Sequence, residues 1–207
     1  MDKRVTALGI IAIVLAGAVG LLAYERKTGR FPWEPKVPPG VSIGAPIITI
    51  KYENGATEKI NTGAIAKGSV KAEGVYWGGS PIVELDCDFP FSATVDSVTG
   101  ITYDTTQVEW VTGDGVTIAS KDTYEEAGKD VGTTYHLHSV VSASEIQSAL
   151  GEGSFDITFH AKVTASTTYK GESLEGSAKS DYTTSVRVRN YALSVKLGPG
   201  HIETGGL

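Results

Sequence analysis

The chain has 207 residues, 41% hydrophobic and 20% charged, which suits one folded domain with an appendage and excludes a disordered or fibrous chain. Six of its 18 Lys+Arg stand at or before Lys36, against three of its 24 acids, so the remaining 171 residues hold 12 bases and 21 acids, a net charge of −9. An acidic surface repels phosphate backbones and argues against nucleic acid as a partner.

The first element in chain order is an apolar helix. Val5 to Tyr24 is a run of twenty uncharged residues, and at a rise of about 1.5 Å per residue it makes about 30 Å of helix, the thickness of a hydrocarbon core. Residues 1–28 are therefore expected to be a single-pass transmembrane helix with the lipid bilayer as partner. Ala16-Gly17-Ala18 offers a signal-peptidase pattern, but Val19, Leu21, Leu22 and Ala23 carry the apolar run past it. Arg26, Lys27, Arg30 and Lys36 on one flank outnumber Lys3 and Arg4 on the other by only one or two bases near the membrane, so charge leaves the side of the following domain undecided. Ala12, Ala16 and Gly20 recur at i, i+4 and i+8, a ridge of small residues on which a second helix can pack.

Residues 29–46 follow as a stalk. Pro32, Pro35, Pro38, Pro39 and Pro46 forbid helix and favour a semi-rigid extended strut. Tyr24 and Trp33, with Arg26, Lys27 and Arg30, have the chemistry of a membrane-interface belt.

From Ile47 the hydrophobic period becomes two. Ile48, Ile50 and Tyr52 alternate with polar residues, as do Val83, Leu85, Cys87 and Phe89, and later Phe155, Ile157, Phe159, Ala161 and Val163. Further strands are expected over 69–77, 107–111, 116–119, 133–140 and 182–197, separated by turn signals at Asn54-Gly55, Gly78-Gly79 and Gly113-Asp114-Gly115. In the last of these Val186 and Val188 are even-numbered whereas Leu193, Val195 and Leu197 are odd, which predicts a β-bulge near Asn190 or Tyr191. One short helix is predicted over Ala143–Leu150, with Ser144 as N-cap and Gly151 as stop. Residues 199–207 read as a peripheral tail, or as a segment that a neighbouring subunit orders.

Seven to nine strands at this spacing predict an all-β fold: an antiparallel two-sheet sandwich over 47–198, immunoglobulin-like or jelly-roll. The stretch YHLHSVVSASEIQSALGEGSFDITFHAKVTA resembles the part of immunoglobulin-like and fibronectin-type domains where one strand crosses a small helical corner into the next, although the Cys and Trp hallmarks are missing. The resemblance implies architecture and no activity. The layout of apolar helix plus β-head also resembles archaeal type IV pilins and archaellins, which would make the helix part of a filament core. Against that, Val5 follows Arg4 where a small residue is usual, and Pro32 stops the helix early.

Chemistry-bearing residues are few. His136 and His138 share one strand face and His160 lies on a later strand, but parity turns all three outward, and in a sandwich of this kind the two strands belong to different sheets. Glu84, Asp86 and Asp88 form a carboxylate row that lacks the glycine-bearing turn of a calcium loop, and it reads as a solvated face that discourages edge pairing. The single cysteine, Cys87, excludes an intramolecular disulfide or a Cys-rich metal motif and is expected to face inward as a small hydrophobe. No G-x-S-x-G elbow, P-loop or H-E-x-x-H occurs, and no Asn-X-Ser/Thr acceptor. The expectation is a non-enzymatic, membrane-anchored structural or assembly protein of a virion or microbial envelope. It would need no cofactor and no bound metal, and would contact other structural proteins or copies of itself. The alternatives are a pilin-like filament subunit and a metal-binding or enzyme-accessory domain built on His136, His138 or the acidic row.

Overall fold

The computed structural model describes residues 19–23, 37–73, 76–77, 80–95, 100–121, 132–169, 171–189 and 192–204. Residues 19–23 are helical, and no Cβ placed on Gly20 would meet another atom within 4 Å. Among the described residues no helix is long and apolar enough to cross a membrane. Most of the Val5–Tyr24 run, including Ala12, Ala16 and Tyr24, lies outside them, as do Arg26, Lys27, Arg30 and Trp33.

The rest is an antiparallel two-sheet β structure, consistent with a sandwich. Sheet A is organised on one long strand, β6 (Ser80–Thr94). Along one edge of β6 lies β9 (Tyr135–Ser142). Along the other lie first β2 (Ile47–Tyr52) and then β1 (Gly40–Ile43), with Gly44 N–H donating to the Pro90 carbonyl at 2.7 Å where one hands over to the other. The hairpin partner β3 (Thr57–Asn61) extends the sheet beyond β2. In sheet B the order is β4 (Lys71–Glu73), β12 (Ala192–Leu197), β11 (Glu172–Arg189), β10 (Gly153–Tyr169), β7 (Thr102–Thr112) and β8 (Thr117–Lys121). Strand β5 (Tyr76–Trp77) pairs with the start of β6, so the single strand expected over 69–77 is two short ones with different partners.

Alternation generates the core. Ile48, Ile50, Leu85, Cys87, Phe89 and Leu137 from sheet A meet Val108, Trp110, Phe159, Ala161, Val163 and Val186 from sheet B, all buried. Trp110 stacks edge-on against Phe159, centroids 4.3 Å apart, and its indole N–H donates across the core to Ser139 Oγ at 2.7 Å. That bond satisfies a donor buried away from water and ties β7 of one sheet to β9 of the other.

Several expectations are corrected. The alternation of β6 is broken by a register shift opposite Lys51 and Tyr52, so Ile82 rather than Val83 enters the core. The parity change after Val188 marks a chain reversal and not a bulge: Arg189 pairs with Ala192, and two strands run back along each other. The helix α1 (Ala143–Leu150) has the expected span, but its N-cap is Ser142, one of whose roles is to close a capping box with Glu145. It stops at Gly151, whose φ of +68° suits a residue without Cβ.

Sheet A also begins and ends outside the bounds expected for the domain. Strand β1 occupies the last part of the segment read as stalk, and Pro39 passes so close to β11 that a Cβ on Gly176 would collide with its carbonyl. The tail is not peripheral throughout. Gly200 N–H bonds the Thr62 carbonyl at 3.0 Å, and β13 (Glu203–Thr204) pairs with β1 as an edge strand.

Candidate functional site

Strand parity points Glu84, Asp86 and Asp88 of β6, and His136 and His138 of β9, out of the same face of sheet A. Antiparallel register then brings the two rows together: Asp88 lies opposite His138, and Pro90 opposite His136. Side chains on diagonal positions of neighbouring strands are within reach of long residues. The His136 Nδ1 is 2.9 Å from both oxygens of Asp88, and the His138 Nδ1 is 3.3 Å from both oxygens of Asp86. The two imidazoles stack with centroids 6.1 Å apart and an interplanar angle of 29°. On the β2 side of the row, Lys51 Nζ reaches Glu84 at 3.7 Å.

The row is therefore not the solvated, edge-protecting face expected of it. β6 is an interior strand with partners on both sides. Asp88 is only 4% exposed, and Asp86 is half-buried. Burial pushes the Asp86 carboxyl above the usual carboxylate range, with the neighbouring Asp88 and Glu84 charges adding to the rise and His138 opposing it. Beneath the row Cys87 is fully buried, and burial first, then the charges of Asp86 and Asp88, push its thiol well up. It is a packed core group and not a nucleophile.

His160 stands apart, as parity indicated. It lies on β10 in sheet B, and its Nδ1 pairs across the strand with Asp181 at 2.6 Å, both groups being largely exposed. Among the described residues the ligand atoms of Asp88, His136 and His138 converge to within 4.8 Å of one another. The acidic and histidine rows could each be read from the sequence. Their union could not, because it depends on β9 pairing with β6 across 40 intervening residues and on the register of that pairing.

Two clefts elsewhere are small. One of about 290 Å³ is lined by Glu152, Ser154, Arg187 and Arg189, and one of about 170 Å³ lies where β1 leaves β6, beside Ser42, Pro90, Thr134 and Ile202. Both fall below the ~300–1,000 Å³ of ordinary small-molecule sites.

No family model, curated protein or solved structure matches this chain.

Proposed function

We propose that the chain is a non-enzymatic structural or assembly protein of a virion or microbial envelope. Its N-terminal apolar helix holds it in a bilayer as a single-pass protein, and an immunoglobulin-like β-sandwich is presented for contacts with other structural proteins or with copies of itself. The observation that carries the reading is the pairing of a twenty-residue uncharged run at Val5–Tyr24 with a two-sheet β-domain.

The immunoglobulin-like assignment draws support from strand order. Strands β2, β6 and β9 neighbour one another in one sheet, β7, β10 and β11 in the other, and α1 forms the corner at which β9 crosses to β10. That order supports reading them as the A, B, E and C, F, G strands of such a domain. On that reading the hallmarks are only partly missing: Cys87 on the B-like strand and Trp110 on the C-like strand are both buried, with Phe159 of the F-like strand against the indole, which adds support.

Alkaline extraction of membranes from cells expressing the full chain tests the anchor. The full chain should stay with the bilayer, and a chain lacking residues 1–28 should not. Full-length protein in the soluble fraction would sink the reading. Helical fibres of protein whose mature terminus lies downstream of Met1 would replace it with the pilin-like alternative, and turnover of a small substrate by the purified protein would replace it with an enzyme.

A further inference from the structure

We propose that Asp88, His136 and His138 form a binding site for a divalent transition-metal ion of the zinc type, with Asp86 as the group that orients His138. The inference goes beyond the structural role above and holds whether or not the N-terminal segment enters a bilayer.

The donor set selects the ion. Two imidazole nitrogens and one carboxylate oxygen suit zinc, cobalt, nickel or copper, whereas calcium and magnesium require oxygen ligands in greater number. The three ligand atoms already lie within 4.8 Å of one another on two paired strands, so rotation about side-chain bonds, without backbone movement, is what closing on an ion requires. A His-x-His repeat in a strand puts both rings on one face, and the antiparallel partner sets Asp88 opposite His138 and diagonal to His136. The side chains of His136 and His138 are 48% and 43% exposed whereas that of Asp88 is 5% exposed, which leaves the ion reachable from solvent and seated on a carboxylate that water barely reaches. Three protein ligands leave at least one coordination position for water or for a donor from a neighbouring molecule.

Asp86 supplies the outer contact that metal-binding histidines ordinarily have. A carboxylate on one ring nitrogen fixes the tautomer and makes the other nitrogen a better ligand. The His138 Nδ1 is 3.3 Å from Asp86, so His138 is to ligate through Nε2. The pair His160–Asp181 on the opposite face of the molecule is the internal control: it has the same chemistry with one imidazole, one exposed carboxylate and no third group converging on it among the described residues.

The test uses the full chain in detergent, stripped with chelator and titrated with Co²⁺, whose visible absorption reports imidazole and carboxylate coordination, and then with Zn²⁺ in competition. About one equivalent should bind. His136→Ala and His138→Ala, at half-exposed positions where folding is not at stake, should each weaken Zn²⁺ binding by at least about tenfold, and Asp86→Asn by about tenfold or somewhat less. His160→Ala should change nothing. Thermal unfolding of each variant verifies the fold, and if Asp88→Asn does not fold the two histidine variants decide. The proposal is overturned if no equivalent binds, if binding survives both histidine substitutions, or if His160→Ala weakens binding as much as they do.

Discussion

The two sheets are built on different plans. Sheet B centres on the hairpin of β10 and β11, which pair without interruption from Gly153 opposite Val188 to Tyr169 opposite Glu172. Sheet A has no comparable hairpin. Its long strand β6 collects short partners from distant parts of the chain, with one register shift and a hand-over from β2 to β1. The outer faces differ accordingly. Sheet B carries a simple exposed cross-strand pair, His160 with Asp181, while sheet A carries a nearly buried carboxylate, Asp88, on which two imidazoles converge. A continuous hairpin repeats one local pairing, whereas a strand that gathers distant partners can juxtapose groups that local sequence never brings together.

The largest expected effect removes part of the patchwork. A chain starting at Gly44 lacks β1 and so loses Val41 and Ile43, both buried, and the partner of β13. At about 1.5–3 kcal/mol for each buried side chain, denaturant unfolding should show it several kcal/mol less stable than a chain starting at residue 37. Equal midpoints would mean that sheet A does not depend on β1.

Next comes the contrast between the faces. Asp88→Asn should cost about 1.5–3 kcal/mol even in metal-free protein, since it weakens a charge-assisted hydrogen bond at a buried position. Asp181→Asn, at an exposed pair, should stay within about 0.5 kcal/mol. Similar losses at both would erase the distinction between the two histidine–carboxylate groups.

The bond that joins the sheets is comparable in size. Ser139→Ala leaves the Trp110 indole N–H buried without its acceptor and should destabilise by about 1–3 kcal/mol, read from urea midpoints. Ser180→Ala on the sheet B side should have the opposite sign, neutral or stabilising by up to about 1 kcal/mol. Its hydroxyl is fully buried and makes no hydrogen bond among the described residues. Cys87, beneath the sheet A cluster, should resist thiol reagents in the native protein and react once urea has unfolded it; rapid labelling of folded protein would contradict its burial.

Elements set by local rules were legible in the sequence. Period-two alternation identified the inward faces of Ile48, Ile50 and Tyr52 and of Tyr135 and Leu137, and Gly151 identified the end of the helix, whereas the N-cap is Ser142 and not Ser144, two residues later, because only Ser142 closes a capping box with Glu145. Alternation alone does not distinguish a bulge from a reversal, since both invert parity, and so Arg189–Ala192 was misread. Nor does it foretell a break such as the one that admits Ile82 to the core in place of Val83. The candidate site divides in the same way. Its outward-facing residues follow from parity, but their grouping follows from a long-range register that no window of sequence contains.

The pairing of Ser42 with Thr204 has a kinetic consequence. It closes nearly the whole length of the domain into one loop, and loop-closure entropy rises with the logarithm of loop length, by about 0.6 kcal/mol for each doubling. The β10–β11 hairpin closes over a two-residue connection with Gly171 at φ +81°, so it can form first, and the β1–β13 seam can close only once the chain between is largely in place. A seam that is last to form and only two residue pairs long is also where native opening should begin. Amide hydrogens of β13 should therefore exchange well before those of β10, and fraying at this corner would expose the edge of β1 while leaving the hairpin of sheet B intact.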